Sequence, residues 1–349
     1  MPTFKIAQHS IGPGCPCFVI AEAGVNHNGN MDLARKLIDV AAKSGAHAVK
    51  FQTFKTELLV TKTAPKADYQ TKNTGNSDSQ DVMLRKLELS LEAHRELQDY
   101  SQKSGILFLS TPFDECSADL LDSLNVPAFK ISSGEITNLP FLNHIAKKGR
   151  PVILSTGMAT LGEVQTAVKA LNDGGNIPIA LLHCVSNYPA RAEDTNLRAM
   201  RTMEQAFGVC IGYSDHTLGN EVSLAAVALG ACIIEKHFTL DRSLPGPDHA
   251  ASAEPAELNA LVSGIKAVQS ALGHGRKEPT ASEANTASVA RRSIVAGRDI
   301  PAHAILEREG LQMLRPGTGL PPALLPYVIG RKARRPIKAG EIITLDILE

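Results

Sequence analysis

The stretch Ile211–His237, IGYSDHTLGNEVSLAAVALGACIIEKH, constrains the fold more than any other part of the chain. A short apolar run ends in Ser214, Asp215 and His216, an alanine-rich helical pattern follows, and a second apolar run ends in Glu235, Lys236 and His237. This predicts strand, helix, strand, with a polar cluster at the carboxyl end of each strand. Parallel neighbouring strands would bring His216 and His237 to one rim, where two imidazoles could hold a divalent cation. Asp215 could ligate beside them or cap the following helix; the sequence leaves both open.

The same unit recurs along the chain. CFVIA (17–21) ends at Glu22, and HAVKF (47–51) delivers Lys50 and Gln52. ILFLS (106–110) leads to Thr111, PAFKI (127–131) carries Lys130 and leads to Ser133 and Glu135, and PVILS (151–155) ends in Ser155. IALLHC (179–184) leads to Ser186 and Tyr188. Helices are expected between them, among them Met31–Ser44 with Asn30 as its cap, Glu115–Leu124, and a last one from Pro255 to Leu272. Eight such alternations fit a (β/α)8 TIM barrel better than an open doubly wound sheet, since AEAGVNHNG after the first strand is not GxGxxG. A closed barrel gathers the polar strand ends at one mouth, where functional residues are expected.

Two stretches fall outside this rhythm. Residues 53–79 form a polar excursion too long for an ordinary connection, expected as a lid, a binding loop or a disordered insertion, and an amphipathic segment at 81–104 returns the chain to the barrel. The barrel is expected to occupy residues 1–272, followed by a linker at 273–290 and a small β-rich domain at 291–349. That last domain contains two similar pieces, SIVAGRDIPAHAIL and RPIKAGEIITLDIL. It holds 10 Lys plus Arg against 6 Asp plus Glu, a net +4, so the preceding 290 residues carry 26 − 30 = −4. Such complementarity permits docking on a barrel.

Composition excludes several classes. The 36 basic and 36 acidic residues cancel, which gives no whole-chain argument for nucleic acid or anionic membrane. No tryptophan and few aromatics argue against a stacking platform for single strands. No run approaches the roughly 20 apolar residues of a membrane span, and MPTFKIAQHS lacks signal-peptide character. The six cysteines show no CxxC spacing and read as small hydrophobes in a reducing cytoplasm.

The rim residues suggest their own chemistry. Lys50 and Lys130, with Ser133, Ser155 and Ser214, suit a phosphate. Glu22, Glu135, Asp215 and Asp248 suit proton transfer, sugar hydroxyls or the orientation of a ligating imidazole. Two histidines with water and substrate oxygens suit Mn²⁺ or Mg²⁺ rather than closed structural zinc. A Schiff-base aldolase using either lysine and a noncatalytic sugar-binding module are the alternatives.

The motifs AEAGVNHNG, VKFQTFK, STPFD, KISSGE, LSTGMAT, YSDHT, IEKHFT and PGPDH, followed by RRSI and RPGTG, resemble the sialic acid synthase family almost from end to end. The resemblance implies a TIM barrel with an antifreeze-like SAF domain and a domain-swapped homodimer. It also implies condensation of phosphoenolpyruvate with an N-acylated mannosamine. By motif, His216 and His237 would be the metal ligands, with Glu22 near the sugar and the attacking water. Lys50, Thr111, Lys130, Ser133, Ser155 and Ser214 would surround phosphoenolpyruvate. Gln52, Asn73, Glu135, Ser186, Tyr188 and Asp248 would belong to the condensation pocket, and Arg315 would reach across the dimer to the sugar's N-acyl group. Ser186 and Arg291 depart from a neuraminate-forming pattern that has asparagine and an aromatic residue there. The expected activity is N-acetylneuraminate synthesis, with N,N'-diacetyllegionaminate synthesis as the alternative.

Overall fold

The computed structural model describes residues 3–75 and 78–349; residues 76 and 77, which fall in the expected excursion, lie outside the described residues. The chain separates into two compact units, Met1–Gly273 and His274–Glu349.

The first unit begins with an antiparallel hairpin, β1 (Phe4–Ile6) and β2 (His9–Ile11). Eight strands follow: β3 (Phe18–Gly24), β4 (Ala48–Thr53), β5 (Leu107–Pro112), β6 (Phe129–Ile131), β7 (Val152–Ser155), β8 (Ile179–His183), β9 (Cys210–Asp215) and β10 (Ile233–His237). They form one parallel sheet in the order β5-β4-β3-β10-β9-β8-β7-β6. Its edge strands β5 and β6 lie side by side without a ladder, so the sheet is a nearly closed TIM-like barrel.

The two-residue period of the strands divides the apolar residues between two cores. On β3, Val19 and Ala21 face the helical layer, while Phe18 and Ile20 fill the barrel with Ala48, Leu109 and Ile153. The helix Met31–Ser44 shows how the outer layer is set. Asn30 accepts from the Asp32 and Leu33 amides, Ala34, Leu37, Ile38 and Ala41 form the buried stripe, and Gly45 stops the helix in the left-handed region at φ 79°. Ile6 and Ile11 of the hairpin are fully buried in the inner core and plug the amino end of the barrel.

The segment expected as one amphipathic piece at 81–104 is two helices, Gln80–Arg85 and Leu91–Lys103. Ser90 caps the second by accepting from the Ala93 amide. The excursion before it carries the short helices Thr56–Leu59 and Asp68–Thr74. Among the described residues, no helix is long and apolar enough to cross a membrane.

In the second unit, β11 (Ser293–Ala296) pairs antiparallel with β12 (Leu311–Leu314) around a small core that includes Ile294, Leu306 and Ile343. Bridges from Val295 to Ile342 and from Ile300 to Ile337 join the two similar sequence pieces. Part of the expected linker belongs to this unit as the helix Ala284–Ala290, where the Ser288 carbonyl accepts from the Gly317 amide at 2.7 Å.

Candidate active site

Alternation along the strands decides which polar side chains enter the barrel mouth. On β10, Glu235 and His237 point inward and Lys236 points outward; on β9, Ser214 points inward and Asp215 outward. Lys236 and Asp215 are register partners, and on the outer face Lys236 Nζ donates to Asp215 Oδ2 at 2.8 Å. Asp215 also accepts from the Thr217 amide and from the Thr217 and Ser223 hydroxyls. These bonds tie Asp215 to the turn after β9 and to Lys236 on the outer face, away from the two imidazoles; none of them caps the following helix, which begins at Glu221. On the inner face the neighbouring register pair, Glu235 and Ser214, is joined by a 3.1 Å bond from the serine hydroxyl.

The floor of the mouth is a buried network of two lysines and two glutamates. Lys50 Nζ stands 2.7 Å from Glu22 Oε2 and 3.9 Å from Glu235 Oε2, and donates to Thr111 Oγ1 at 2.8 Å. Lys130 Nζ donates to Ser155 Oγ at 2.7 Å and lies 3.6 Å from Glu235 Oε1. Glu22 Oε2 is thus held at ion-pair distance by the Lys50 ammonium, while Glu235 Oε2 is buried with no hydrogen-bond partner among the described residues. Burial pushes the Glu22 carboxyl up to about 7 against the opposing pull of Lys50. Burial would raise Glu235 too, but the charges of Lys130 and Lys50 and the Ser214 hydroxyl outweigh it and hold that group below the usual carboxylate range. Lys130 is lowered by burial, with Glu235 opposing.

His216 and His237 meet above this floor with ring centroids 5.6 Å apart. His216 Nδ1 lies 2.6 Å from the Val185 carbonyl oxygen, which can only accept, so Nδ1 carries the proton and Nε2 presents its lone pair. Among the described residues, none gives His237 Nδ1, which is buried, a hydrogen-bond partner. Burial drives His216 down to about 4, and burial together with His216 drives His237 well below its ordinary value. Both rings are therefore neutral near pH 7, the state that ligation requires. The two imidazoles, one tautomer fixed and one nitrogen orphaned, fit a divalent cation with an open coordination sphere. Among the described residues, no group of three or more His, Cys, Asp or Glu forms a ready-made cage.

All these groups line one cavity of about 480 Å³, which also takes in Gln52, Ser133, Glu135, Ser186, Tyr188 and Asp248. That volume lies within the range of small-molecule sites, roughly 300–1,000 Å³. Tyr188 lies against His216 with ring centroids 4.1 Å apart and planes tilted by 33°, and Tyr69 of the excursion packs on Tyr188 at 5.0 Å. Burial pushes Asp248 up to about 6 and also raises half-buried Glu135, whose Oε2 accepts from Asn138. Ser133 Oγ accepts from the Gly157 amide at 2.9 Å. A Cβ on Gly157 would collide with the hydroxyls of Ser186 and Ser133, so this close approach needs glycine.

Two expected site residues stand apart. Asn73 does not line the cavity; its Nδ2 donates to the Pro247 carbonyl at 2.7 Å and so braces the loop carrying Asp248. Arg315 belongs to the second unit. The sequence reading missed Glu235 as a site residue, although it precedes His237 by two positions and so shares its face. It also missed Tyr69 and Cys184, which line the cavity.

Comparison with known proteins agrees with this architecture. Residues 37–277 match the model of the NeuB family and residues 291–349 that of the SAF domain. The chain is 48% identical over 342 residues to the N,N'-diacetyllegionaminic acid synthase of Legionella pneumophila, covering 97% of this chain and 96% of the relative. It is 50% identical over 327 residues to the synthase of the same description from Campylobacter jejuni, covering 93% and 98%. The crystal structure of N-acetylneuraminic acid (sialic acid) synthetase from Leptospira borgpetersenii, solved with citrate, superposes with a TM-score of 0.72 at 39% identity, covering 82% of this chain and 95% of that one. A family model spanning most of the barrel and relatives matched nearly end to end lead to one conclusion: this chain belongs to the NeuB family and carries a SAF domain after its barrel.

Proposed function

We propose that the chain condenses phosphoenolpyruvate with 2,4-diacetamido-2,4,6-trideoxymannose and water to give N,N'-diacetyllegionaminate and phosphate. The relatives that carry that activity in their names favour this acceptor over N-acetylmannosamine, the expectation drawn from sequence alone. The observation that carries the reading is the buried floor, where two lysines face two glutamates beneath two neutral imidazoles in one cavity.

Lys50 and Lys130, with Thr111, Ser133, Ser155 and Ser214, hold the phosphate and carboxylate of phosphoenolpyruvate. Glu22, buried and titrating near 7, orients the water that adds at C2 and accepts its proton. C3 of the donor bonds to the acceptor's aldehyde carbon, and phosphate leaves by C–O cleavage with its charge met by the two ammoniums. His216 and His237 would hold Mn²⁺ or Mg²⁺, which would supply Lewis-acid polarisation of the aldehyde. Gln52, Glu135, Ser186, Tyr188 and Asp248 surround the acceptor. In the proposed homodimer, the SAF domain of one chain covers its partner's barrel, and Arg315 reaches the acceptor's acyl group.

The test is phosphate release from phosphoenolpyruvate with each purified amino sugar, followed by the product's mass. His216→Ala and His237→Ala are expected to lose bound metal and at least about 100-fold in turnover. Metal content and kinetics unchanged in both variants reject the assignment.

A further inference from the structure

One wall of the cavity is used by none of these steps. Val25, Phe54, Met83, Leu84 and Leu87 form a hydrophobic cluster of their own, separate from both barrel cores, with Phe113 packed against it. All six line the cavity. Phe54 and Phe113 meet edge to face at 6.3 Å. Four of the six, Phe54, Met83, Leu84 and Leu87, come from the chain between β4 and the helix Leu91–Lys103.

The chemistry of the ligands assigns this wall to one of them. The donor is a small anion whose phosphate and carboxylate belong with Lys50 and Lys130 on the floor. The acceptor must put its aldehyde carbon at that floor, beside the imidazoles, so its other end extends away toward the sides of the cavity. A hydroxymethyl end laid against these six side chains would lose water and gain no partner from them. A methyl end would be buried at a gain. Gln80, one turn before Leu84 on the same short helix, also lines the cavity and brings a carboxamide able to pair with an amide.

We infer that this wall is the element that selects the acceptor: it receives the deoxygenated, methyl-bearing end of a 6-deoxy diacetamido sugar and rejects a hydroxymethyl end. This rests on the acceptor reading above and names the residues that enforce it.

The experiment measures kcat/KM by phosphate release for 2,4-diacetamido-2,4,6-trideoxymannose and for N-acetylmannosamine. The proteins are the full-length wild type, Met83→Gln, Leu84→Asn and the apolar control Met83→Leu. The polar variants are expected to lower the preference for the 6-deoxy sugar by about 10-fold or more, the scale of discrimination at an apolar pocket. The KM for phosphoenolpyruvate is expected to stay within about twofold, and Met83→Leu to keep the preference. Saturation-transfer NMR on the wild type with the 6-deoxy sugar needs no variant to fold, and its strongest transfer is expected at the C6 methyl and the acetamido methyls. A preference that survives both polar substitutions, or transfer dominated by ring protons, overturns the wall while leaving the acceptor reading intact. A wild type that turns over N-acetylmannosamine but not the 6-deoxy sugar overturns the acceptor reading itself.

Discussion

At its carboxyl end the barrel buries Lys50, Lys130, Glu22 and Glu235, while at its amino end Ile6 and Ile11 close the same barrel over Phe18, Ile20 and Ala48. The strands are shared, so the difference lies in which side chains the two-residue period delivers at each level. Ionised groups held out of water at the mouth gain less from pairing than apolar groups gain from close contact at the plug. Stability is thus concentrated at one end, and binding chemistry, with its orphaned oxygen and neutral imidazoles, at the other.

The largest effects should come from unbalancing the mouth. Lys130→Ala leaves Glu235 buried with only the more distant Lys50 for compensation, an arrangement expected to cost about 3–5 kcal/mol of stability and nearly all turnover. Lys130→Met combined with Glu235→Leu removes both charges and is expected to recover most of that stability while remaining inactive. Urea unfolding read alongside phosphate release separates the two quantities. A double variant no more stable than Lys130→Ala would mean that the charge pair supports the fold, and the contrast between the two ends would fail.

At the plug the expected split is reversed. Ile11→Ala removes a fully buried side chain from the inner core and should cost about 2–5 kcal/mol, with kcat/KM for both substrates unchanged at temperatures where the protein is folded. A loss of activity without a loss of stability would show that the hairpin communicates with the mouth.

The sequence made the mouth more legible than the plug. Strands such as PVILS and CIIEKH carry their polar residue at the carboxyl end, so counting alternations was enough to collect Lys50, Lys130, Ser155, Ser214 and His237. Glu235 shares the inward face of its strand with His237 two positions on, so the same period places it in the mouth. The hairpin went unread because FKI and HSI are three residues each, too short for any period to register. The break before Leu91 is hidden for a different reason: Leu84, Leu87 and Leu91 stand at i, i+3 and i+7 across it, and only the cap at Ser90 marks the interruption. The hydrogen bond from Asn73 to Pro247 joins positions 174 residues apart, and no local pattern encodes it. Asp215 could not be assigned until β9 and β10 were paired in register, because only that pairing turns it toward Lys236.

The plug has one weakness of its own, and it gives the smallest of these effects. His47 Nδ1 accepts from the Val19 amide at 2.9 Å and its ring stacks on Phe18 at 5.3 Å, so the imidazole must be neutral to hold this place. Burial, with smaller contributions from His9 and Lys266, lowers it to about 4. Between the unfolded value of about 6.5 and the folded value, the unfolded chain binds the proton and the native chain does not. Its contribution is therefore complete above about pH 6.5 and is lost as the pH falls toward 4. His47→Asn keeps an acceptor near Val19 without a titrating ring, so unfolding free energies measured from pH 7.5 to 4.5 should fall less steeply than in the wild type. His216 and His27, also lowered to about 4, retain their share of the slope in both proteins. Identical slopes would mean that the His47 ring contributes nothing to the acid sensitivity of the plug.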